Sequence, residues 1–296
     1  MSVTSAMFTG VSGLLANAEG INVIGNNLAN VNTVGFKSGR MLFSDMLSVN
    51  IGNNSQIGRG TQIQKVDNVF GQGSFESTES ATDLAIQGNS FFALKDPLDA
   101  TAAGSFPMAG ATLSRAGAFR VDGSRYLVNP DGYQVLDTNG APIRFFDSAT
   151  APPTAGDFAK VSKIDANGVI TYVDKLGATY YYSASNTVGT TTALAVPPAS
   201  QRIAVINPPN PGSLEKIGGT LFRAGSGSGL IGNIALSTNT ANGTSEKIYS
   251  NSLEQSNVDM AGQFVKMILT QRAYSANSKT ITTADEMTQE ALQLKR

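Results

Sequence analysis

The sequence has no cysteine, no histidine and no tryptophan. Without cysteine there are no disulfides and no thiolate nucleophiles. Without histidine there is no imidazole to act as a general acid or base, no Ser-His-Asp triad and no Cys/His zinc site. Charge is scarce as well. Only 15% of the 296 residues are charged, against roughly 25% in ordinary soluble proteins. The 21 basic and 22 acidic residues leave a net charge of −1, which excludes the basic footprint of a nucleic-acid binder. No run of about 18 apolar residues is present, so no membrane-spanning helix is expected. The first charge is Glu19 and the first positive charge is Lys37, so the N-terminus lacks the positive region that opens a cleavable signal peptide. These absences favour an assembly or binding role over an enzymatic one, with no metal and no cofactor.

What is present divides into three textures. Residues 3 to about 34 have a helical pattern. Residues from about 60 to 250 are rich in Gly, Thr, Ser, Asn and β-branched types, and read as strands and turns. From about 257 the pattern is helical again. The expected fold class is α+β: N- and C-terminal helices paired as a coiled-coil base, with an inserted, mainly antiparallel β domain. The expected boundaries are 1–34 with 257–296 for the helices, 35–70 for an extended linker and 71–256 for the β domain. Residues 148–200 read as a small insertion within it.

In the first helix Met7, Val11, Leu14, Ala18, Ile21, Gly25 and Leu28 follow a 4-3 alternation over three heptads. Glycines at 10, 13, 20 and 25 weaken it, each by about 0.5–1 kcal/mol relative to alanine. Such a helix needs a partner along its apolar stripe, and is expected to order on assembly. Its end is expected in the run Asn26, Asn27, Asn30, Asn32, with Gly35 free to take a positive φ. In the last segment Asn257 or Asp259 is the expected N-cap. Val258, Ala261, Val265 and Ile268 form one stripe, and Ala273, Asn277, Thr280, Ala284, Met287, Ala291 and Leu294 continue it. Two arrangements are compatible with these stripes: an antiparallel helix pair packed on a domain, or a coiled coil that also touches other copies. Gly, Asn and Thr within both stripes favour the second.

The middle reads as a β-meander. Its turn pairs are Asp122-Gly123, Asp131-Gly132, Asn139-Gly140 and Asn167-Gly168. Strands are expected at 126–128, 133–136, 143–146, 169–173 and 202–206, with a hairpin joining 83–86 to 91–94 across Gln87-Gly88-Asn89. Other chemistry is weaker. The Gly225–Gly229 run lacks the lysine of a phosphate loop and reads as a flexible loop. Asp131 and Asp137 read as turn carboxylates rather than cation ligands. The run Tyr180, Tyr181, Tyr182 reads either as an aromatic surface or as a strand with alternating faces.

The stretch Asn26-Asn27-Leu28-Ala29-Asn30-Val31-Asn32-Thr33-Val34-Gly35-Phe36-Lys37 resembles the N-terminal signature of bacterial flagellar rod and hook proteins. Thr82–Gly88 with Phe91-Phe92, and Ser114-Arg115-Ala116-Gly117-Ala118-Phe119, resemble the start of that family's β domain. Leu253-Glu254-Gln255-Ser256-Asn257-Val258-Asp259 and Gln271-Arg272-Ala273-Tyr274 resemble its C-terminal helix. The Leu253–Asp259 run and the short stretch between Leu47 and Gly58 lean towards the hook subunit. The lack of room for a large outer domain cuts the other way, so the expectation is a minimal hook subunit, with the distal rod as the alternative.

The resemblance implies a subunit that stacks helically into a hollow tube. Terminal helices would line the channel, and the hook would act as a flexible joint between rod and filament. The implied partners are copies of the chain, rod and hook-filament junction proteins, the hook cap and the flagellar export apparatus. The implied location is the flagellum, reached without a cleaved signal. A monomeric β-rich binding module is the alternative from a different class.

Overall fold

The computed structural model describes residues 3–52, 55–98, 112–148, 155–183, 187–191, 202–230 and 246–294. The chain is α+β. Helix α1 spans Val3–Ala29 and helix α2 spans Met260–Gln293, with antiparallel strands between them. It divides into two compact units. The first comprises Met1–Val31, Ser38–Val69 and Val258–Arg296; the second comprises Asn32–Lys37 and Phe70–Asn257.

In the first unit α1 and α2 pack antiparallel. A Cβ built on Gly10 would lie 2.9 Å from Ile281, one on Gly13 would lie 2.7 Å from the Asn277 amide, and one on Gly20 would lie 3.3 Å from Thr270. The buried face of α1 is therefore Gly10, Gly13, Ala16, Gly20, Ile24 and Asn27. It is not the apolar heptad. The glycines, read from sequence as weak points, let the second helix approach closely at these positions. Asp259 caps α2 by accepting from the Ala261 amide at 3.1 Å. At 34 residues α2 is about 51 Å long.

Residues 35–70, expected as an extended linker, instead contain two antiparallel hairpins. Gly39–Asp45 pairs with Thr61–Asn68, and Val49–Gly52 with Ser55–Ile57. The first pair belongs with the helices. Asn27 on α1 brackets the Gly39 backbone, donating to its carbonyl and accepting from its amide, both at 2.8 Å. Ser12 accepts from the Thr61 amide at 3.3 Å.

The second unit is built on an eight-stranded antiparallel sheet. Its order is Leu214–Gly218, Leu221–Ala224, Thr112–Ser114, Phe91–Lys95, Gln134–Val135, Leu127–Val128 and Arg120–Val121, with Val205–Ile206 also paired to Phe91–Lys95. Side chains alternate between two cores, as the period of two requires. Phe92, Leu94, Val135, Val205 and Leu221 enter one core; Phe91, Ala93, Leu136, Ile206 and Phe222 enter the other. The sheet is thus buried on both faces.

Two sequence expectations change here. Residues 84–87 and 91–95 are strands but not a hairpin, because Leu84–Gln87 pairs with Lys247–Ser250 and Phe91–Lys95 joins the large sheet. Residues 143–146 hold a single isolated bridge, Arg144 to Tyr126, rather than a strand. Phe158–Ile164, Ile170–Asp174 and Thr179–Tyr181 form a three-stranded sheet. Its Phe158, Tyr172 and Tyr180, with Tyr182 just beyond it, join Phe145 in the first core. Phe145 stacks on Phe158 at 4.3 Å, and Tyr172 on Tyr180 at 5.8 Å. Tyr180 and Tyr182 are buried and Tyr181 is half-buried, the alternation of a strand. Most of the Ala/Thr/Pro/Ser-rich stretches at 148–156 and 183–200 lie outside the described residues. Gly225–Gly229 is an ordered turn in which the Ser228 hydroxyl donates to the Gly225 carbonyl at 2.6 Å.

Candidate functional site

Two features stand out. One lies on the helix pair and the other lies inside the β unit.

The helix pair is inverted relative to an ordinary amphipathic pair. Its inner seam is mostly small or polar: Gly10, Gly13, Ala16, Gly20 and Asn27 on α1, with Gln263, Thr270, Asn277 and Ala284 along the half-buried or buried line of α2; Ile24 and Ile281 are its large apolar members. Asn27 and Gln263 face each other at 3.5 Å. Large apolar side chains point outward. Phe8, Val11 and Leu15 are exposed on α1; Phe264, Val265, Ile268, Leu269, Met287, Leu292 and Leu294 are exposed on α2, with Phe8 73% and Met287 61% accessible. Among the residues singled out from sequence, Val11, Val265, Ile268, Met287 and Leu294 are on this exposed set. Met7, Leu14, Ala18, Ile21, Leu28 and Val258 are half-buried, and Ala284 is buried on the inner seam. Scattered exposed apolar residues are ordinary; a contiguous apolar surface marks an interaction site.

The second feature is a buried charge cluster. Lys37, Arg115 and Glu254 are all at most 1% accessible. The Lys37 ammonium donates to Glu254 Oε1 at 2.6 Å and to the Gly71 carbonyl at 2.8 Å. The Arg115 guanidinium donates to Glu254 Oε2 at 3.1 Å and to the Gly88 carbonyl at 2.5 Å. Glu254 Oε1 also accepts from the Gly73 amide at 2.9 Å, and its main-chain carbonyl accepts from the Gly35 amide at 2.7 Å. Burial pulls the Lys37 ammonium and the Arg115 guanidinium below their ordinary pKa values, and the Glu254 carboxylate acts against that pull. Each of these buried charges is held by an opposite charge and by backbone groups, as burial requires.

The backbone around the cluster is equally constrained. Gly35 has φ +68, and a Cβ there would lie 2.4 Å from the Ala116 amide nitrogen. Only glycine meets both demands. Phe36 lies under the Lys216 ammonium, 4.5 Å from the ring centre, and Lys216 donates to the Lys37 carbonyl at 2.7 Å. Of the signature residues, Gly35, Phe36 and Lys37 serve the β unit. Asn27 serves the helix unit, while Asn26 and Asn30 bond to each other within the turn that ends α1, at 3.1 Å. Leu28 is half-buried and Ala29 exposed.

Comparison with known proteins gives the three motifs a common meaning. Residues 7–37 match the model of the flagella basal body rod protein, 85–172 that of the flagellar hook protein FlgE/F/G D1 domain, and 249–294 that of the flagellar basal body rod FlgEFG protein C-terminal region. The flagellar basal-body rod protein FlgG of Bacillus subtilis is 33% identical over 303 residues, covering 98% of this chain and 99% of the relative. The chain belongs to the flagellar rod and hook protein family. Each matched segment supplies one member of the charge cluster: Lys37, Arg115 and Glu254. FlgG of Borreliella burgdorferi is 31% identical over 307 residues, covering 98% of both chains. The flagellar hook protein FlgE of the same organism is 38% identical, but over 158 residues, 47% of this chain and 33% of the relative. These comparisons fit the distal-rod alternative better than the hook lean, since the FlgG relatives align with this chain from end to end and the hook relative over less than half of it.

Sequence reasoning named the three motifs without foreseeing that their charges meet. The available signal was Lys37 and Arg115, each the sole charge of its motif, and Glu254, which shares its motif only with Asp259.

Proposed function

We propose that the chain is a structural subunit of the distal flagellar rod rather than an enzyme. It assembles with copies of itself into a helical hollow tube through the outward apolar surfaces of α1 and α2. The observation that carries this reading is the inverted helix pair. A pair that spends its small and polar residues on its own seam and exposes Phe8, Phe264, Ile268, Leu269 and Met287 leaves burial of about 1.5–3 kcal/mol per large side chain to be gained from neighbours. Met7, Leu14, Ala18, Ile21 and Leu28 supply the flank of that surface on α1, and Val258 and Val265 the start of it on α2. Partners beyond other copies are the adjoining axial subunits and the export apparatus, and the location is the flagellar basal body.

Rod is preferred to hook because the rod relatives align from end to end. The hook relative extends well beyond the region it shares with this chain. Electron microscopy of the polymerised protein tests the reading. Straight, stiff tubes are expected. Curved, supercoiled tubes would return the hook reading, and a persistent monomer would support a binding module instead.

A further inference from the structure

The chain passes between its two units at residues 31/32, 37/38, 69/70 and 257/258. On the β-unit side those passages open onto three short strands of chain: 32–37, 70–73 and 254–257. All three are fastened to one another. Gly35 and Gly73 donate to Glu254, and Lys37 donates to both Glu254 and Gly71. The Asn257 amide donates to the Phe36 carbonyl at 3.4 Å, and the Asn257 side chain donates to the Gly71 carbonyl at 3.1 Å. Arg115 anchors the knot to the large sheet and to the 86–88 turn. Lys216 holds its outer side through Lys37 and Phe36.

We infer that Glu254 is the pin of a clamp that locks the three connecting strands onto the β unit. The inference rests on the rod reading only for its purpose, which is to deliver mechanical load on the connections into the sheet. Two properties set it apart from ordinary core packing. First, the knot joins segments more than 200 residues apart in sequence (Lys37 and Glu254 are 217 apart), so it closes only when both ends of the chain are in place. Second, its hold is ionic and hydrogen-bonded rather than apolar. The charged groups facing the pin are Lys37 and Arg115, with the Glu246 charge acting on Arg115. Loss of one partner therefore strips the strands without removing any residue of the aromatic core.

Lys37→Met tests this in the full chain. It keeps the length of the side chain and leaves Glu254 and Arg115 as a neutral pair. Amide hydrogen exchange at Gly35, Gly73 and Asn257 is expected to rise at least tenfold. Exchange at Ile143 and Tyr182, in the core of the same unit, is expected to stay within twofold of wild type. Glu254→Gln is expected to show the same pattern more strongly, and Lys216→Met a weaker form confined to residues 36–38. Unchanged exchange at all three clamp amides would overturn the inference. So would a uniform rise that includes Ile143 and Tyr182, since Lys37 would then be a general stability residue. If Glu254→Gln fails to fold, Lys37→Met carries the test. Polymer formation by the wild-type chain is a separate readout, so a failed rod reading would leave the exchange result interpretable.

Discussion

The two units of this chain bury opposite kinds of residue. The β unit buries large aromatics on both faces of a sheet: Phe92, Phe119, Phe145, Phe158 and Tyr172 in one core, and Phe91 and Phe222 in the other. The helix unit lines its seam with Gly10, Gly13, Gly20, Asn27 and Asn277, and turns Phe8, Leu15, Phe264, Leu269 and Leu292 outward. The β unit is complete in itself. On the proposed reading, the helix unit is half an interface. The low charge of the whole sequence fits that division, because an unpaired charge on a surface awaiting burial would be costly.

The comparison breaks first if the β unit tolerates loss of an aromatic. Phe145→Ala removes the ring that stacks on Phe158 and edges Tyr172 and Tyr182. It should cost about 3–5 kcal/mol, read as a fall in the denaturation midpoint of the β unit.

The next effect is a pH dependence confined to that unit. Burial pushes the Asp137 carboxyl up to about 6, although the Asn139 and Ala141 amides donate to it. A raised pKa means that the folded state holds the proton more tightly than the unfolded chain does. This contribution to stability is therefore greatest below pH 4 and declines as pH rises to about 6. The full difference is roughly 3 kcal/mol. Asp137→Asn keeps the acceptor for both amides and should flatten the dependence, measured by urea unfolding at pH 4 and pH 7.

A smaller effect is expected in the helix unit. Gly13→Val places a branched side chain where a Cβ would already meet Asn277 at 2.7 Å. It should weaken the helix pair by about 1–2 kcal/mol, seen as loss of helical circular dichroism at lower temperature. The β-unit transition should not move.

Much of this arrangement was legible in the residues. The two terminal helices, the Asp259 cap and the alternation of Tyr180 to Tyr182 follow from spacing and side-chain chemistry. So do the turns at Gly132, Gly140 and Gly168, each with a positive φ. The face of α1 that meets α2 was not legible, because hydrophobic periodicity marks the stripe that wants burial, and here that stripe is not the one on the seam. The false hairpin at 83–94 has a different cause. Leu84–Ile86 and Phe91–Leu94 are continuous buried runs, so local alternation carried no register, and the Gly88 carbonyl was already committed to Arg115. Asp174 was missed as a turn former. Its carboxylate accepts from the Leu176 and Ala178 amides, a pattern signalled only by an Asp three residues before Gly177. The charge cluster needed the fold, since Lys37, Arg115 and Glu254 have no local relation.

The measurement closest to the central claim is sedimentation velocity, with electron microscopy, on wild type and Ile268→Asp under the same conditions. Ile268 is exposed on α2, so the substitution should change the stability of the free chain by no more than about 0.5 kcal/mol. The account predicts tubes from the wild type and a folded monomer from the variant. Tubes of equal yield from both would contradict it.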